Sequence, residues 1–227
     1  MRRTTDLARW SLVSGVLGVI ANVLLIAFYA LAQPWKAGVQ PFEWVGSVND
    51  FFVLVQYATL LPVGLGLRSA LQRHRLGWVA WLGIGATALI VLLQALLLLR
   101  VMKFSVEGIL VSLCIAASFG WLLALVQIGK REDGAFTGRL ANFGTAIVVG
   151  IVLGLVLVGL ALVLPKGSVP QYVLFGVGGA FGSFGWLGFP FWLIWARNRL
   201  SQLGGVTAQP YDGPRRRTAH RGPPAPD

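Results

Sequence analysis

The sequence predicts an all-α integral membrane protein, a polytopic bundle of six transmembrane helices with the N-terminus and the C-terminus both in the cytoplasm. Three observations predict it. Hydrophobic residues make up 56% of the 227 residues and charged ones only 12%, about half the ~25% of an ordinary soluble domain. The charges fall between six long uncharged stretches. Lys and Arg alternate between rich and poor connections along the chain. A soluble core this apolar would lack the polar surface to cover it, so lipid is the solvent that fits.

The uncharged stretches are 10–35, 51–67, 76–99, 108–129, 140–165 and 167–196. A bilayer core of ~30 Å needs about 20 helical residues at ~1.5 Å each. In lipid only helices or closed barrels satisfy the backbone, and continuous apolar runs without strict alternation mean helices. Spans are therefore predicted near 10–33, 49–67, 77–99, 106–128, 142–164 and 172–196. A basic N-terminus, 1–9, precedes a six-helix domain, 10–200, and a tail, 201–227, follows it. The second span is the shortest and contains Gln56 and Pro62. Ser47 and Asp50 have the S-x-x-D spacing of a capping box, which would start that helix.

Orientation follows from the cations in short loops. Fifteen of the nineteen Lys and Arg residues precede span one, join two to three and four to five, or follow span six. Only Lys36, Arg100, Lys103 and Lys166 lie on the other side. The rich side is predicted to be cytoplasmic, and the layout resembles, in type only, small six-span bacterial inner-membrane proteins. Trp10, Trp35, Trp44, Trp78, Trp192 and Trp195 fall near span ends, where amphipathic rings anchor at headgroups. Trp121 and Trp186 lie deeper and are expected between helices.

Ala30-Leu31-Ala32 resembles a signal-peptidase site. The apolar stretch before it is about 20 residues, longer than the ~7 to 15 of a signal h-region, so span one is read as retained. The tail is rich in Pro, Gly and Arg and reads as disordered. Its Arg215, Arg216, Arg217 and Arg221 would contact anionic lipid or simply enforce orientation. The net charge of +11 does not point to nucleic acid, because the cations are spread over loops and tail.

Two sets of residues stand out. In span six, Gly176, Gly179, Gly182, Gly185 and Gly188 recur every third residue, with Gly178 added and Pro190 following. A period of three drifts about 60° per step around a helix of ~3.6 residues per turn, so the stripe winds. It predicts close helix packing, a kink, or a break beside a site. Gly150 and Gly154 form GxxxG in span five, and Ser14, Gly18 and Asn22 form a seam in span one. These are helix-packing devices that would also serve a homo-oligomer or a membrane partner.

The second set is polar: Asn22, Tyr29, Asp50, Gln56, Tyr57, Gln94, Arg100 and Glu107. All belong to spans one to four and lie in their middle or outer half. Polar groups in hydrocarbon usually face the bundle interior or a cavity. Together they would line an outward-opening pocket for a small or lipid-like ligand. Separately they would serve as interhelical hydrogen bonds, a cap at Asp50 and a solvated Arg100–Glu107 pair.

Catalytic signatures are missing. There is no G-x-S-x-G, H-E-x-x-H or Walker loop, and neither His74 nor His220 lies in a span. Cys114 sits among apolar residues and is expected to be inert. No metal site and no cofactor is predicted. The reading is a non-enzymatic protein that binds or passes a ligand, with a structural or regulatory subunit as the alternative and an intramembrane enzyme a distant third.

Overall fold

The computed structural model describes residues 2–32, 42–131, 136 and 138–205. Among them the chain forms six helices and no strand: α1 (Arg2–Ala32), α2 (Glu43–Arg73), α3 (Gly77–Leu98), α4 (Phe104–Arg131), α5 (Gly138–Leu162) and α6 (Val169–Gly205). Each carries a stretch long and apolar enough to cross a membrane. Large apolar side chains such as Val23, Ile26, Leu92, Leu113, Val156 and Phe191 are exposed on the outer faces of the helices. Such an apolar exterior belongs in lipid. The chain is a multi-pass membrane protein.

The helices alternate in direction. Leu7 at the start of α1 meets Gly66 and Gly204, near the ends of α2 and α6. Further along, Gly18 faces Gln56 and Phe28 faces Gly46. Both ends of the described bundle chain, in α1 and α6, therefore share one end of the molecule, here the terminal end. The opposite end is the far end. Neighbours in sequence pack as neighbours in space, α6 returns to α1, and α2 also touches α4 and α6. The core is built from Leu60, Leu67, Leu71, Ile90, Leu122, Leu125, Ile147 and Leu193, all nearly inaccessible.

α1, α2, α4 and α6 run past the predicted spans at both ends or one, as polar residues continue them into the interface, whereas α3 keeps to its predicted span and α5 starts earlier and ends two residues sooner. The longest, α6, has 37 residues, about 55 Å at ~1.5 Å each. It stays continuous through Pro190, so the glycine stripe does not break the helix. The predicted capping box does not form. α2 begins at Glu43 with Phe42 in the cap position and no side-chain cap bond, which puts Ser47 and Asp50 inside its first two turns.

α2 and α3 end in a common way. Leu76 N–H bonds the Leu71 carbonyl at 2.9 Å and Arg75 N–H bonds that of Gln72 at 3.0 Å. Val101 N–H bonds Leu96 at 2.9 Å and Arg100 N–H bonds Leu97 at 2.9 Å. These are Schellman closures, and Arg75 and Arg100 occupy the left-handed position at φ 59°. Each cation also faces the negative end of its helix dipole.

The aromatic predictions divide. Trp10, Trp44, Trp78 and Trp195 are exposed as interface anchors require. Trp121 is buried and Trp186 partly so. Trp192 is the correction: it is fully buried and its indole N–H bonds the Leu140 carbonyl at 3.1 Å. A cleft over Gly144 holds that indole, since a Cβ there would lie 2.7 Å from its nitrogen. Trp35 and the tail from 206 on lie outside the described residues, as do Lys36, Arg215, Arg216, Arg217 and Arg221.

Candidate functional site

The far end of α2, α3 and α4 brings two carboxylates and two amides together. The α3–α4 connection is five residues, 99–103. Its Schellman closure at Leu99 reverses the chain at once, so Gln94 near the end of α3 stands opposite Glu107 in the first turn of α4. Gln94 Nε2 donates to Glu107 Oε1 at 2.8 Å. From α2, Asn49 Nδ2 donates to Asp50 Oδ1 at 3.5 Å, and Asp50 lies within electrostatic reach of Glu107. Asn49, Gln94 and Glu107 are 7%, 6% and 3% exposed, and Asp50 is half-buried.

A count of donors and acceptors shows an imbalance. Both amides spend an N–H on a carboxylate. Their carbonyl oxygens, Asn49 Oδ1 and Gln94 Oε1, are buried without a hydrogen-bond partner. Each orphan oxygen shares a carbon with a nitrogen already bonded in the cluster, so it belongs to the same site. Leaving a buried acceptor unmade costs ~1–3 kcal/mol. Two acidic groups close together in a poorly solvated setting also repel. Among the described residues neither Asp50 nor Glu107 is ion-paired. Arg100 and Lys103 lie exposed in the connection above, so the expected Arg100–Glu107 pair is not formed. The cluster has oxygen acceptors in excess and lacks a cationic donor.

The remaining predicted residues go elsewhere. Asn22 faces α6, where its Nδ2 donates to the Leu187 carbonyl at 3.3 Å. Pro190, three residues on, has no N–H to give the helix, which leaves the Trp186 carbonyl of the preceding turn without its helical donor. Gln56 packs over Gly18, where a Cβ would sit 2.6 Å from Gln56 Nε2 and 2.6 Å from Pro190 Cγ. Ser14 Oγ donates to the Gln56 carbonyl at 3.1 Å, and Thr59 Oγ1 donates to it at 2.8 Å. These bonds tie α1, α2 and α6 together at mid-depth. Tyr57 is buried beside Cys114, with its ring 6.3 Å from that of Trp186. Tyr29 is exposed beside Phe28, in the stretch 23–31 of α1 where no residue is fully buried. The eight residues thus form a far-end cluster and a central tie, with Tyr57 between helices and Tyr29 and Arg100 facing out.

Asn49 joins the site without having been singled out. Its adjacency to Asp50, two polar residues in sequence at the head of an apolar span, was the available signal. Ser14 was seen as a small residue in a seam, and its hydroxyl turns out to be the working group.

The glycines separate by face. A Cβ on Gly154 would meet Gly182 Cα and N at 2.7 Å, and one on Gly150 would meet the Phe181 carbonyl at 3.0 Å. Gly178, Gly185 and Gly188 also pack on α5, while Gly176 and Gly179 meet nothing within 4 Å. The winding stripe therefore contributes to the α5–α6 seam near the middle of the helix and turns outward toward the far end. There Gly176, Val177, Ala180, Phe181 and Phe184 line an open apolar groove of about 570 Å³.

No protein-family model matches the chain, and neither does any curated protein or solved structure. Any reading of activity therefore rests on the geometry.

Proposed function

We propose that this is a non-enzymatic membrane protein that binds a small cationic group, a monovalent metal cation or a primary ammonium with N–H donors, in the far-end cluster of Asn49, Asp50, Gln94 and Glu107, taken up from outside the cell. One observation carries the reading: two buried amide oxygens without donors beside two carboxylates without a cation. A bound cation would satisfy the oxygens and relieve the repulsion between the acids. Half-buried Asp50 is the member nearest to access. Exposed Arg100 and Lys103 above the site favour a ligand that also carries an anionic group, which would keep both charge signs in use.

The test is thermal unfolding of the purified protein in detergent with added sodium, potassium or methylammonium chloride, against equal ionic strength of choline chloride. A ligand at ~100 times its Kd stabilises by about 2.7 kcal/mol, a clear rise in Tm. Glu107→Gln and Asp50→Asn, which preserve shape, should each abolish the rise. Equal stabilisation by choline, or a rise that survives in both variants, would sink the proposal.

A second reading is favoured by the outward face of α6. Its groove at Gly176 and Ala180 suits a helix from a second copy or a membrane partner, which is the subunit role.

A further inference from the structure

At the terminal end a separate cavity of about 450 Å³ lies between the α2–α3 turn and α4. We infer that it is a binding site for an anionic phospholipid, with the headgroup phosphate at Arg131 and His74 and one acyl chain laid along α4. The cavity is ordered like an amphiphile. His74, Gln127 and Arg131 stand at one end, and Leu123, Ala124 and Gly120 continue from it.

Gly120, Ala124, Gln127 and Arg131 recur at steps of three and four, so they form one stripe on one face of α4. The eleven steps from Gly120 to Arg131 rise about 16 Å at ~1.5 Å each. That matches one leaflet, about half of a ~30 Å hydrocarbon core. A Cβ at Gly120 would meet nothing within 4 Å, so the floor there is open to a chain. Trp78, 69% exposed one residue before Val79 of the cavity wall, marks headgroup level.

Charge selects the lipid. Arg75 lies in the α2–α3 turn, and Arg68, Arg73, Lys130, Arg131 and Arg139 lie in the helix ends that flank the two connections at this end, against Glu132 and Asp133 in the sequence. A juxtamembrane surface of this sign attracts acidic headgroups at about 1 kcal/mol per nearby cation. The site is at the opposite end of the bundle from the far-end cluster.

Native mass spectrometry of protein released from vesicles of phosphatidylcholine mixed with phosphatidylglycerol tests the assignment. One phosphatidylglycerol should be retained in preference to phosphatidylcholine. Arg131→Ala combined with His74→Ala should lower that preference about tenfold, whereas Lys166→Ala, exposed in the α5–α6 connection at the far end, should leave it unchanged. Gly120→Leu with Ala124→Leu should fill the groove and lose the retained lipid while helicity by circular dichroism stays the same. Soluble glycerol phosphate should not displace it. Equal retention of the two lipids overturns the site. So does a preference indifferent to Arg131→Ala with His74→Ala, or full displacement by glycerol phosphate, which would show a bare anion site.

Discussion

At the residue scale, small side chains are positioned by what a single carbon would strike. Gly154 and Gly182 are partners across α5 and α6, yet their contacts are unequal. A Cβ on Gly154 would run into Gly182 backbone at 2.7 Å, whereas one on Gly182 would stop 3.9 Å from Gly154 Cα. Backbone cannot rotate away as a side chain can, so overpacking there should cost ~1–3 kcal/mol. Gly154→Ala is therefore expected to lower stability by about that much in detergent unfolding, and Gly182→Ala by much less. Gly159→Ala, which meets nothing, is the control and should be neutral or slightly stabilising. Equal losses at all three would refute the seam. The polar residues follow the same logic of neighbours. Gln94 and Glu107 were legible as costly groups near span ends, but not as partners, because their bond depends on a tight turn between them.

At the scale of the element, the number and type of helices were legible because apolar length alone decides them in lipid. Their inner faces were not. In water, amphipathic periodicity marks the buried side of a helix. In a bilayer both sides are apolar, and only small and polar residues mark a contact. That is why the Ser14–Gly18–Asn22 seam was readable and the burial of Trp192 was not. It is also why the capping box misled: Ser47 and Asp50 had the right spacing, but the helix had already begun at Glu43. The outward face of α6 has its own test. If a second copy covers it, Gly176→Cys in a background of Cys114→Ser should form disulfide-linked dimers in native membranes under mild oxidation. Cysteine at Trp78, exposed on α3 at the other end, should not. Monomer alone at Gly176 would remove the self-association form of the subunit reading.

For the molecule as a whole, the paired ends of α1 and α6 and the bias of cations toward the terminal end predict one orientation, terminal end inward. In a protein lacking Cys114, Lys166→Cys in the α5–α6 connection should react with an impermeant maleimide added to intact cells. Lys130→Cys at the end of α4 should react only after lysis. The reverse pattern would invert the protein, and the far-end cluster would then draw its ligand from inside. The cluster and the lipid cavity are at opposite ends of the bundle, so a failure of one assignment leaves the other standing.

The bond between Asn22 and the Leu187 carbonyl has a consequence in time. The two residues are 165 positions apart. At roughly 5–20 residues made per second, the first helix waits about 10 to 30 s for the last. Ser14 finds the Gln56 carbonyl 42 residues on, so one part of the seam is occupied early while Asn22 stands in lipid with its amide unspent. During that interval the nascent chain is an open arc rather than a ring. Any chaperone, insertase or neighbouring chain offering a carbonyl at that depth competes for the same amide, and only the arrival of α6 ends the competition.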